Sequence, residues 1–134
     1  MMVNEPYILI ADDDPDDQEL FEERLLRINP DAKIETVNNG MEALAFLRDR
    51  PAEALPKVIV VDYKMPGFTG YDFLVAIKND PRYQAIPKVV WSTSNNQEYV
   101  QKSMEGGAMR FITKPNDVRG FDQLVGEIDR LYQA

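Results

Sequence analysis

Two patterns of apolar residues alternate along the chain. Short runs occur at Tyr7 to Ala11, Val58 to Val61, Lys88 to Trp91 and Met109 to Thr113. The unbroken β-branched run VIVV at Val58 to Val61 predicts a strand buried on both faces. Lys33 to Val37 is short and alternates apolar with polar residues, as an edge strand does. Helical stripes fill the intervals. Phe21, Leu25 and Ile28 face inward on a helix that opens at Pro15 and stops near Asn29-Pro30. After Asn39-Gly40, the residues Ala43, Leu44 and Leu47 mark a second helix to about Arg50, and Pro51 to Pro56 is a connection. Tyr71 to Asn79 predicts a third helix, with Leu74 and Ile77 inward and Asp80-Pro81 ending it. A fourth, Gln97 to Glu105, has only the thin stripe of Tyr99, Val100 and Met104, and Gly106-Gly107 caps it. The last helix carries the clearest stripe: Phe121, Leu124, Val125, Ile128 and Leu131.

Five strands alternating with five helices predict an α/β fold: a doubly wound parallel sheet covered on both faces, flavodoxin-like, with right-handed crossovers. The strand order 2-1-3-4-5 puts the alternating second strand at an edge and places a switch point between strands one and three, where such sheets bind ligands. At 134 residues the chain has the size of one domain, spanning 1–134, and no repeat or linker divides it. An output domain is not expected.

Composition narrows the chemistry. The 23 acidic and 15 basic residues leave a net charge of −8, which disfavours nucleic acid and anionic membranes as partners. Cysteine and histidine are both absent, so thiolate nucleophiles, cysteine metal sites, the usual zinc ligand and the usual general base are excluded. The amino end MMVNEPYILIADDD has too short an apolar run for a signal peptide, and nowhere do 18 apolar residues occur together. A cytoplasmic protein is expected.

The strand ends carry the candidate chemistry. Tyr7 to Ala11 runs into Asp12, Asp13 and Asp14; Val58 to Val61 runs into Asp62, and Met65-Pro66-Gly67 then turns the chain. Ser92, Thr93 and Ser94 follow the fourth strand, and Lys114-Pro115 follows the fifth. In the predicted order Asp12, Asp13 and Asp62 converge in one crevice, with Ser92 and Lys114 beside them. Asp14, Asp16 and Asp17 read instead as a solvated helix start on the favourable end of its dipole. At ~4 Å and an effective dielectric near ~20, a like-charged pair costs roughly 4 kcal/mol, so positive charge has to compensate. All-oxygen ligands select a hard cation, and a partly hydrated magnesium ion matches this supply. Such a site can transfer a phosphoryl group onto Asp62, with the metal and Lys114 neutralising its charge and Ser92 binding an oxygen.

In residue type, order and strand-end position this set resembles the response-regulator receiver domain of two-component signalling, over nearly the whole chain. The resemblance implies that Asp12 and Asp13 are the acidic pair, Asp62 the phosphoacceptor and Ser92, with Thr93 beside it, the switch hydroxyl. It also implies a phosphate-binding Lys114 before a cis Pro115, the Lys64 backbone carbonyl as a metal ligand, and Phe111 as the switch aromatic. Ser92 stands where threonine is commoner, Phe111 lacks a tyrosine hydroxyl, and Trp91 is bulkier than the usual aliphatic residue. Phosphorylation would alter the face made by helix four, strand five and helix five. The tracts KNDPRYQAIP and FITKPND resemble stand-alone receivers paired with phytochrome-type or hybrid histidine kinases. The implied partners are a histidine kinase or histidine phosphotransfer protein and a downstream protein, with a homodimer on phosphorylation as a further option. Lys64 and Ser94 flank the expected path of the hydrolytic water and are expected to tune dephosphorylation.

Three classes follow from the residues: a phosphorylatable switch that catalyses only its own phosphorylation and dephosphorylation, a pseudo-receiver that never takes phosphate, and a phosphatase with an aspartate nucleophile. A pseudo-receiver usually lacks an acid or the lysine, and this chain keeps them. The phosphatase would need a second acid two residues after Asp62, where Lys64 stands. Trp91 is expected to be core.

Overall fold

In the structure, a computed structural model that describes residues 5–134, five strands alternate with five α-helices. They are β1 (Ile8–Ala11), α1 (Pro15–Ile28), β2 (Ile34–Val37), α2 (Gly40–Arg48), β3 (Val58–Asp62), α3 (Gly70–Ile77), β4 (Lys88–Ser92), α4 (Gln97–Glu105), β5 (Arg110–Thr113) and α5 (Val118–Gln133). A short 3-10 turn, Ala52–Ala54, interrupts the connection before β3. Residues 1–4, part of the amino end whose apolar run is too short for a signal peptide, lie outside the described residues. Among the described residues no helix is long and apolar enough to cross a membrane.

The strands pair in parallel in the order β2-β1-β3-β4-β5. Every position of β1, β3 and β4 is buried, whereas β2 and β5 at the edges are half wet, as their sequences require. Side-chain alternation sends Leu9, Ala11, Ile59, Val61 and Val90 to one face of the sheet, under α2 and α3, with Tyr99 of α4 packed against the same core. Ile8, Ile10, Val60, Val89 and Trp91 go to the other, under α1 and α5. Helix α1, which follows β1, and helix α2, which precedes β3, therefore lie on opposite faces, and the switch point opens between these two strands. Register brings Ala11 level with Val61, Asp62 with Trp91 and Ser92 with Thr113, so all the carboxyl ends meet along one edge.

Helix caps follow the local sequence. Asp14 accepts from the Asp16 and Asp17 N–H groups at the start of α1, with Pro15 in its first turn. Thr69 and Asp72 form a reciprocal capping box that starts α3. Arg24 of α1 clasps Asp122 of α5 through two hydrogen bonds of 2.7 and 2.9 Å, tying together the helices on one face.

Two positions depart from the expected inward stripes. Ile28 is half exposed, and Ala32, beyond the end of α1, is buried in the core instead. Met104 is also half exposed: α4 turns Ser103 inward instead, whose hydroxyl donates to the Tyr99 carbonyl at 2.7 Å. Helix α4 thus buries one small polar side chain fully and holds on through Tyr99, which stacks on Tyr63 at 4.2 Å between ring centroids.

Candidate functional site

Asp12 is the first residue after β1. Its N–H bonds the Val37 carbonyl, and the Gln18 amide donates to the carbonyls of both Asp12 and Val37, fixing the backbone where it leaves the sheet. The side chain is fully buried, with one oxygen accepting from the Asp14 N–H at 2.8 Å. Asp62, the last residue of β3, is also buried, and its Oδ1 accepts from the Lys64 N–H at 3.2 Å. Asp13 is exposed at the rim. One carboxylate oxygen from each of Asp12, Asp13 and Asp62 lies within 4.8 Å of the others.

The turn after Asp62 depends on two glycines. Gly67 takes a positive φ of 74°, which other residues adopt at a cost. Gly70, the first residue of α3, donates to the Tyr63 carbonyl, and a Cβ there would sit 2.8 Å from the Asp62 carbonyl oxygen. Gly70→Ala is therefore expected to push α3 away from Asp62. Destabilisation of about 1–3 kcal/mol in a denaturant melt, with weaker divalent-ion binding, checks this.

Lys114 follows β5 and is anchored by its N–H to the Ser92 carbonyl at 2.7 Å. Its ammonium lies 2.8 Å from Asp12 Oδ2, 2.8 Å from Asp17 Oδ2 and 3.3 Å from Asp62 Oδ2, with only 5% of the side chain exposed. The Asp12 contact is a close ion pair that sets the ammonium directly against Oδ2. Burial raises the Asp62 carboxyl to about 7, the Asp12 charge adds to the rise, and Lys114 and the Lys64 N–H offset part of it. Asp12 is raised as well, again chiefly by burial. Burial acts to lower Lys114, but Asp12, Asp17 and Asp62 outweigh it and the ammonium is held above its ordinary range.

Ser92 is fully buried at the end of β4, its hydroxyl oxygen accepting from the Ser94 N–H. Thr93 is exposed and Ser94 half-buried. The Lys64 side chain is exposed, and Phe111 is half-buried against the core on the α3 face. Trp91 is wholly buried, as expected of a core residue. The expected cis bond at Pro115 is absent: no peptide bond among the described residues is cis, and Lys114–Pro115 keeps the trans form that amides intrinsically favour. Asp17 also departs from the solvated helix start, because it binds Lys114. A signal for it existed, since Asp17 stands four residues before Phe21 and eight before Leu25, on the stripe that faces inward.

A model of the response regulator receiver domain matches residues 8–126. The chain belongs to this family. Among curated relatives, the receiver is 32% identical over 126 residues to the two-component response regulator ORR13 of Oryza sativa subsp. japonica, covering 94% of this chain and 100% of that protein. Among solved structures it superposes on the phosphorylated cyanobacterial phytochrome response regulator RcpA with a TM-score of 0.85 and 31% identity, over 96% of this chain and 94% of that one. The Mn2+-bound form of response regulator Rcp1 gives a TM-score of 0.81 at 28% identity, over 93% and 92% of the two chains. Receiver domains of response regulators act with histidine kinases or phosphotransfer proteins.

The donor set of this receiver fits a hard divalent cation. It offers only oxygens, from three carboxylates on two adjacent strand ends, with one oxygen of each within 4.8 Å of the others.

Proposed function

We propose that the chain is a receiver that takes a phosphoryl group on Asp62 from a phosphohistidine donor with Mg2+ and passes the change to a partner through the α4–β5–α5 face. One observation carries this reading: a buried strand-end carboxylate lies within 4.8 Å of two more acids and 3.3 Å from a buried ammonium. Asp12, Asp13, Asp62 and the Lys64 carbonyl would hold the ion. When bound, it supplies positive charge that keeps the carboxylates ionised and neutralises phosphoryl oxygens.

The residues do the rest. An Asp62 oxygen attacks phosphorus, the donor's P–N bond breaks, and the imidazole leaves with a proton. Lys114 takes charge from the phosphoryl oxygens, and the Ser92 hydroxyl, with Thr93 beside it, accommodates one of them. Catalysis extends only to the chain's own phosphorylation and hydrolysis.

The outward path is supported by packing. Tyr63, next to Asp62, stacks on Tyr99 of α4, while Phe111 of β5 is half-buried against the same core. With Ser103 its one fully buried side chain, α4 has little to hold it in a single position. The similarity to response regulators matched over 89–100% of their own length supports a receiver that acts through a protein partner.

Incubation with magnesium and acetyl phosphate, read by intact mass, tests the assignment. A labile phosphoryl adduct is expected; no adduct would mean a pseudo-receiver, and continuous release of phosphate a phosphatase. Lys64 and Ser94 are assigned to tuning the lifetime of that adduct. The exposed Lys64 ammonium screens the path of water, so Lys64→Ala is expected to speed adduct decay roughly two- to fivefold. An unchanged rate would remove Lys64 from this role.

A further inference from the structure

We propose that Asp17 and the face of Trp91 form a second seat for the Lys114 ammonium, which competes with Asp62 for it and limits how firmly Lys114 holds a phosphoryl group. The proposal rests on Asp62 being the phosphoacceptor. It starts from the distances: Lys114 Nζ donates to Asp17 Oδ2 at 2.8 Å but reaches Asp62 Oδ2 only at 3.3 Å. The same nitrogen stands 4.8 Å from the centre of the Trp91 ring, within the range of a cation–π contact.

The seat is built rigidly. Trp91 is wholly buried and wedged edge-on between Phe21 at 5.7 Å and Phe121 at 6.1 Å, so its ring cannot turn away. Its Nε1 has no hydrogen-bond partner, and the ring face is what it offers the pocket. Asp17 is carried by the first turn of α1, one turn before Phe21, and its side chain is 23% exposed. The three acids placed to hold a cation are Asp12, Asp13 and Asp62, so occupying them leaves this seat intact.

An ammonium has three donors, and here three carboxylates already compete for them. Phosphoryl oxygens on Asp62 would have to draw the same ammonium, against the pull of Asp17 and the indole. With less of the ammonium's charge on the phosphoryl oxygens, transfer onto Asp62 and hydrolysis from it are both slower.

The chain has a single tryptophan, so its emission reports on the seat directly. In metal-free protein, Lys114→Met is expected to change Trp91 emission, and Asp17→Asn to change it in part as the ammonium moves toward Asp62. After loading with acetyl phosphate and magnesium, the adduct of Asp17→Asn should decay roughly fivefold faster than the wild type, and Asp17→Glu should restore slow decay. Emission insensitive to Lys114→Met, or decay in Asp17→Asn as slow as the wild type or slower, overturns the proposal. If the wild type takes no phosphoryl group, the assignment of Asp62 fails by itself, and a failed emission test sinks the seat independently.

Discussion

Lys114→Met is expected to destabilise the metal-free protein by about 3–5 kcal/mol at neutral pH, because it leaves buried carboxylates facing one another without a cation. Asp12 and Asp62 are almost wholly buried, and Lys114 is the one cation paired with either of them among the described residues. The loss should shrink toward pH 5, where the raised carboxyls of Asp12 and Asp62 take up protons and the repulsion fades. Added magnesium should restore part of the stability. Phosphorylation by acetyl phosphate should still fall by roughly 100-fold or more, since the metal does not replace the ammonium on the phosphoryl oxygens. Urea melts at pH 5 and 7.5, with and without magnesium, check the first claim, and adduct formation by intact mass the second.

Asp62→Asn is expected to act in the opposite direction on stability while abolishing phosphorylation. The Asp62 carboxyl titrates near 7 in the folded chain, against about 3.9 in an unfolded one. Between those values the folded state binds the proton more tightly, so the contribution of Asp62 to stability is highest below pH 4 and falls as pH rises toward 7. Asparagine removes that slope. At pH 8 without metal the variant should be more stable by ~3 kcal/mol, and magnesium should stabilise it less than it stabilises the wild type. A variant no more stable than the wild type at pH 8 would show that burial and the Asp12 charge do not raise the Asp62 carboxyl.

Asp12, Asp62, Ser92 and Lys114 were legible in the sequence because each ends or directly follows an apolar run, and parallel strands bring all their carboxyl ends to one edge. The alternation of Lys33 to Val37 likewise marked an edge strand, and β2 is one. What escaped depends on how separate elements meet. Asp17 and Lys114 are 97 positions apart, and their contact exists because α1 lies over the same face of the sheet that β5 ends beside. Trp91 was readable as core, but its nearness to an ammonium needed the register of β4 with β5. Ile28 and Met104 show a different limit: helical periodicity gives the phase of a stripe, not the place where the neighbouring surface stops.

The proposed chemistry reduces to one covalent bond, and its position can be read directly. Protein loaded with acetyl phosphate and magnesium is reduced with borohydride, which converts an aspartyl phosphate to homoserine, then digested and sequenced by mass spectrometry. Homoserine at position 62, and at no other acid, is the predicted result. Homoserine at Asp12, Asp13 or Asp17, or an unaltered Asp62 in protein that carries phosphate, would contradict the account.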